Sequence, residues 1–183
     1  MTKYIALLRG INVGGHNQIK MAALREALQI LALQNIQTYI QSGNILFDSG
    51  ESEAVLQQQI QAILQETFAI TSTVILRTAE EFQAIMKQCP FSEQDIAEAS
   101  ATAVGECLHV AFLPAIPTKA NAEKLLSYAN DKERCVIEGR NIYLLFYHSI
   151  RNAKLGQQLP QLELPATVRN WKTITKLTKM IDE

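Results

Sequence analysis

No apolar stretch in this chain approaches the roughly 18 to 20 residues of a membrane span; runs such as residues 4–8 and 142–147 are far shorter. A membrane partner is therefore not expected. Cysteine is scarce: Cys89, Cys107 and Cys135 are odd in number and widely spaced, which argues against a disulfide framework and for a reduced, cytoplasmic setting. His16, His109 and His148 show no metal-ligand spacing with each other or with the cysteines, so neither a metal nor a cofactor is expected. A G-x-S-x-G elbow and a G-x-G-x-x-G fingerprint are both missing. The N-terminus has a short apolar run but no small-residue cleavage site, unlike a signal peptide.

What is there suits globular folding. The chain has 183 residues, 48% of them apolar and 19% charged, with a net charge of −1. That length accommodates one domain or two small, tightly packed ones. Near-neutrality hides a division along the chain. Residues 48–106 carry ten acids and two bases, whereas residues 140–181 carry seven bases and only Glu163. Such asymmetry can mark an anion-binding face. A pI near 6.3 argues against a generic nucleic-acid coat.

Periodicity then orders the elements. Residues 4–8 read as a strand, a Gly-rich loop follows, and Met21, Leu24, Leu28 and Leu31 repeat at helical spacing. Two short strands flank Ser42-Gly43, a turn pair. Ser52 can cap a helix whose stripe is Leu56, Ile60, Ile63 and Leu64, and residues 72–77 make another strand. Thr78 and Glu81 form a capping box, and Pro90 ends the helix it starts. The succession is βαββαβ plus a helix over residues 1–89. Polar, small-residue-rich residues 90–105 read as a linker or loop. Residues 106–183 read as βαββα with a basic C-terminal helix: a strand at 108–113, a helix marked by Thr118, Leu125 and Leu126, and a hairpin across Gly139-Arg140. The fold expected is α+β, two ferredoxin-like halves of βαββαβ type packed together. No residue-level identity between the halves is evident, so duplication rests on element order alone.

Three segments carry the candidate chemistry. Arg9, Gly14, Gly15, His16, Asn17 and Lys20 leave a strand and enter a helix, an arrangement in which backbone N–H groups and a helix N-terminus can hold an anion. His16 and Asn17 stand where a phosphate loop has Lys and Ser/Thr, so the match to that motif fails. Ser42 and Asn44 flank the turn glycine. Towards the C-terminus, Arg151 and Lys154 lie three apart, and Arg169, Asn170 and Lys172 fall in a segment, residues 166–177, read as helical. Its Trp171 reads as a core anchor. His109 sits in the apolar run LHVAFL and reads as a hydrogen-bonded core histidine; the three cysteines read as buried small apolar residues.

At these segments the chain resembles the domain of unknown function 1697 family, a family of bacterial proteins. The similarity is carried by YIALLRGINVGGHNQIKM, TYIQSGNILF, LHVAFL and ATVRNWKTITKL, in order along the chain. The resemblance implies an α+β fold with ferredoxin-like halves and implies no activity. Where members of the family commonly show Ser-Lys-Leu, this chain has Ala153-Lys154-Leu155, so a catalytic hydroxyl is not expected there. The leading functional expectation is a cytoplasmic protein binding an anionic ligand, either a phosphorylated small molecule or single-stranded nucleic acid, through the Gly-rich loop and the basic C-terminal segment. One alternative is an enzyme on a phosphate- or carboxylate-bearing substrate with His16 as acid/base. The other is that the motif residues serve structure alone.

Overall fold

A computed structural model describes residues 1–183. Its elements group into two compact units, one comprising Met1–Ile85 with Leu177–Glu183, the other Met86–Lys176. Each unit holds a four-stranded antiparallel sheet. No helix is long and apolar enough to cross a membrane.

In the first unit, β1 (Thr2–Leu8), α1 (Met21–Leu28), β2 (Gln34–Tyr39), β3 (Asn44–Ser49), α2 (Glu53–Phe68) and β4 (Val74–Thr78) follow in the expected order. The sheet order is β2-β3-β1-β4. Tyr4, Ala6 and Leu8 on one face of β1 join Leu24, Leu28, Leu56, Ile60 and Leu64 of the two helices in one core. Thr78 and Glu81 exchange the expected capping bonds at the start of α3 (Ala79–Lys87), at 2.8 and 3.2 Å.

Residues 90–105 are not a linker. They hold α4 (Glu93–Thr102), started by a capping box between Ser92 and Asp95. Ser92 accepts from the Asp95 N–H at 3.0 Å, and the Asp95 carboxylate accepts from Ser92 N–H at 3.0 Å. Asp95 also pairs with Arg134 at 2.8 Å, and these bonds hold its carboxyl below the usual carboxylate range. The small residues that suggested a loop are alanines, which favour helix.

The second unit continues with β5 (Leu108–Phe112), α5 (Lys119–Leu126), β6 (Glu133–Glu138), β7 (Asn141–Phe146), a short α6 (Lys154–Gln157) and then β8 (Thr167–Asn170) before α7 (Trp171–Ile181). Sheet order is β6-β7-β5-β8. The expected single helix over residues 166–177 is corrected here: its first part is β8, and Arg169 lies on that strand instead of in line with Lys172. Pairing with β5 supplies the backbone hydrogen bonds that β-branched Thr167 and Val168 favour. This strand completes a second βαββαβ succession.

Strand register reveals the repetition that sequence alone conceals. Tyr4, Ile5 and Ala6 of β1 oppose Thr78, Arg77 and Leu76; His109, Val110 and Ala111 of β5 oppose Asn170, Arg169 and Val168. On the other side Ala6 opposes Ile45 and Ala111 opposes Ile142, while Leu7 and Phe112 both oppose an asparagine, Asn44 and Asn141. The pairs Ala6/Ala111, Ile45/Ile142, Asn44/Asn141 and Arg77/Arg169 are thus the same residue at the same place in each sheet. Both arginines are buried, and each donates to the carbonyl of its preceding residue.

The turn between β2 and β3 shows why Gly43 cannot be replaced. Its φ is +82°, and a Cβ there would lie 2.8 Å from Leu8 Cβ, on the backbone-proximal part of a core side chain. Gly139, in the corresponding hairpin of the second unit, has φ +58° and open space around it. Gly43→Ala should therefore cost about 2–4 kcal/mol, and Gly139→Ala only about 1. Urea unfolding of the two variants checks this; equal losses would refute the close approach.

Candidate functional site

The Gly-rich segment of the first unit closes on itself. Asn12, at φ +55°, is its tie. Asn12 Nδ2 donates to the carbonyls of Ile19 at 3.0 Å and Gln41 at 2.6 Å, and Oδ1 accepts from Ile19 N–H at 2.8 Å. Asn17 Nδ2 donates to the Gly10 carbonyl at 3.0 Å. Between them Val13 and His16 bridge across Gly14 (φ +59°) and Gly15 (φ +78°), the backbone of a type I′ turn. Gly14, Gly15 and His16 are exposed at this tip. Lys20 lines a 420 Å³ depression with Asn12, Gln18, Ile19 and Gln41. No side chain caps α1 at Lys20. At the start of the loop, Ser72 Oγ accepts from Arg9 N–H at 3.2 Å and donates to its carbonyl at 2.7 Å. Asn44 is fully buried, its amide donating to the Tyr39 carbonyl at 2.9 Å and to Ser42 Oγ at 3.0 Å. These two residues shape the turn.

In the second unit the expected residues separate. Arg169 is buried on β8, and burial pushes its pKa down to about 10. Lys172 is exposed on α7. The backbone at Lys154 and Leu155 already faces an anion: the Glu133 carboxylate accepts from both N–H groups, at 3.3 and 2.8 Å, at the start of α6. Arg151 and Asn170, by contrast, line one cavity of about 340 Å³, together with Ser149, Ile150, Glu106 and His109.

Local structure explains how this cavity is built. Ser149 Oγ accepts from Arg151 N–H at 3.3 Å, capping a single 3₁₀ turn, Ile150–Asn152, that carries the exposed Arg151. Asn170 ends β8 and caps α7, its Oδ1 accepting from Thr173 N–H at 2.9 Å. With that oxygen committed, Nδ2 is left as a donor. His109 lies directly opposite Asn170 in the strand register, so the two side chains share a face. Its ring meets Phe146 edge-on, centroids 5.9 Å apart.

His109 departs from expectation. It is 93% buried, since 7% of its surface is exposed, yet its Nδ1 has no hydrogen-bond partner. Burial pushes its pKa down to about 4, against a weaker upward pull from the Cys107 carbonyl, so the ring is neutral at physiological pH. The first unit supplies an internal reference, because Tyr4 occupies the same register position. Tyr4 is buried to the same 7%, packs on Phe47, and satisfies its hydroxyl on the Glu51 carbonyl at 3.2 Å. Where one repeat has a tyrosine whose hydroxyl is bonded, the other has a histidine whose Nδ1 is buried without a partner, in the wall of a cavity. Of the cysteines, Cys107 is buried, whereas Cys89 and Cys135 are half-buried. No cluster of three or more His, Cys, Asp or Glu side chains is placed to hold a metal ion.

The model of a family described as protein of unknown function (DUF1697) matches residues 1–143. The chain belongs to that family. Among solved structures, conserved bacterial protein SP0830 from Streptococcus pneumoniae is similar, with a TM-score of 0.71 and 26% identity over 100% of this chain and 99% of that one. No curated protein matches at a significant level.

The depressed His109 pKa has a stability consequence. The unfolded chain takes up a proton near pH 6.5, the folded chain only near 4, so stability present above 6.5 is lost as pH falls through that window. The loss should be about 2 kcal/mol by pH 5. His109→Phe, which restores an aromatic ring as at Tyr4, should remove that component. Urea unfolding of both proteins at pH 7 and pH 5 checks this; an undiminished pH dependence in the variant would show that His109 is not its source.

Proposed function

We propose that this DUF1697 protein binds a small anionic molecule in the cavity of its second unit. The observation that carries this reading is a polar cavity whose wall joins the exposed Arg151 to Asn170, Ser149 and the buried His109, whose Nδ1 has no hydrogen-bond partner. Buried polar groups without partners are rare in folded proteins and concentrate where a ligand or a reaction uses them. Anion selectivity is supported by the remaining wall. Arg151 is the cavity's cation and forms no ion pair with Glu106; Asn170 Nδ2 and the Ser149 hydroxyl add directional donors. A cavity of about 340 Å³ suits a phosphorylated or carboxylated small molecule. Its wall has no Phe, Tyr or Trp on which a nucleic-acid base would stack, which favours the small molecule over a single strand. Three free cysteines support a cytoplasmic setting.

The test is a thermal-shift panel at low salt with phosphate, sugar phosphates, nucleoside monophosphates, small carboxylates and short single-stranded DNA. A true ligand at a hundred times its Kd stabilises by about 2.7 kcal/mol, a shift of roughly 5–10 °C for a chain of this size. Arg151→Ala should abolish the shift and Lys172→Ala should keep it. Loss in Lys172→Ala with retention in Arg151→Ala would move binding away from this cavity, and a flat panel would remove its support.

A further inference from the structure

We infer that ligand binding in this cavity is coupled to proton uptake: an anion seated beside Arg151 and Asn170 converts His109 from a neutral imidazole to an imidazolium that becomes its second cationic contact. The inference rests on the binding reading above and adds what controls it.

The surroundings of His109 make the coupling specific to that ring. Leu144, opposite it on β7, and Phe146 against its edge are apolar. Asn170, opposite it on β8, is uncharged. The only charged side chains on the cavity wall are Glu106, from the segment before β5, and Arg151, from the 3₁₀ turn. Both are exposed and opposite in sign, so solvent screens them and neither decides the charge of the ring. Burial decides it. Holding the pKa at about 4 instead of about 6.5 biases the ring some 300-fold against the cation. A unit negative charge about 4 Å away, at the effective dielectric of a protein surface, favours the cation by about a thousandfold. An anion seated within about 4 Å of the ring is therefore sufficient to reverse the bias.

Linkage sets the direction. If the bound-state pKa rises to about 6.5, affinity for a ligand of fixed charge increases about 30-fold between pH 8 and pH 5. The protein then holds anions more tightly in acid, although its own stability declines there.

Sulfate is the probe, because it keeps its charge across this range. With isotope-labelled protein, the His109 ring resonances are titrated with pH, without sulfate and at saturating sulfate. The expected result is a midpoint near 4 that moves towards 6.5, with sulfate Kd about 30-fold lower at pH 5 than at pH 8. Glu106→Gln should keep this dependence, which excludes loss of the Glu106 charge as its cause. His109→Asn should abolish it. Sulfate shifts at Arg151 and Asn170 with an unmoved His109 midpoint would overturn the proton coupling and leave the binding site standing. No shifts at either pH would overturn both. The wild-type midpoint decides the matter even if a variant fails to fold.

Discussion

A buried polar group must find a hydrogen bond, and much of this molecule is arranged around that demand. Asn12 ties a long glycine-containing loop by answering three backbone groups at once. Asn44, with no exposed surface, does the same for the turn between β2 and β3. Glu133 answers two N–H groups at the start of α6, and Ser92, Thr118 and Asn170 each cap a helix. Removing such a partner leaves a desolvated group unpaired, at about 1–3 kcal/mol. Against this background two buried atoms stand without partners, Thr167 Oγ1 and His109 Nδ1; of these two residues His109 lines a cavity with a cation, and it draws the functional reading there.

Repetition sharpens the contrast. Two sheets of the same strand order place alanine, isoleucine, asparagine and arginine at matching register positions. Their central strands diverge at Tyr4 and His109. The Tyr4 hydroxyl reaches the Glu51 carbonyl, whereas His109 keeps a buried Nδ1 without a partner. A fold used twice can thus keep its core geometry while side chains at matching positions change, as at Tyr4 and His109, Ile5 and Val110, and Leu7 and Phe112.

Much of the candidate chemistry read from the chain also has a local structural role. The glycines of the loop serve a hairpin, Ser42 and Asn44 shape a turn, and Arg169 lies buried on a strand. Arg151 and Asn170 remain, and they share one cavity although 19 positions separate them in the chain. Sequence pattern located the capping residues Ser52 and Thr78 and the helical stripes, because these signals are local and depend on spacings of three and four. It missed α4, where alanine and serine were taken as loop composition, and β8, where four residues before a basic helix carry too little periodicity to register as a strand.

The sequence by itself determined the fold class, the first βαββαβ succession and the family, because each is written in short-range periodicity, caps and contiguous motifs. The tertiary structure alone decided three things: that the second half completes the same succession, that equivalent residues recur in it, and that His109 is buried without a partner. Register is a relation between distant strands. Whether a buried nitrogen is bonded depends on atoms brought to it from β7, β8 and the turn beyond, and no local pattern in the run LHVAFL records their absence.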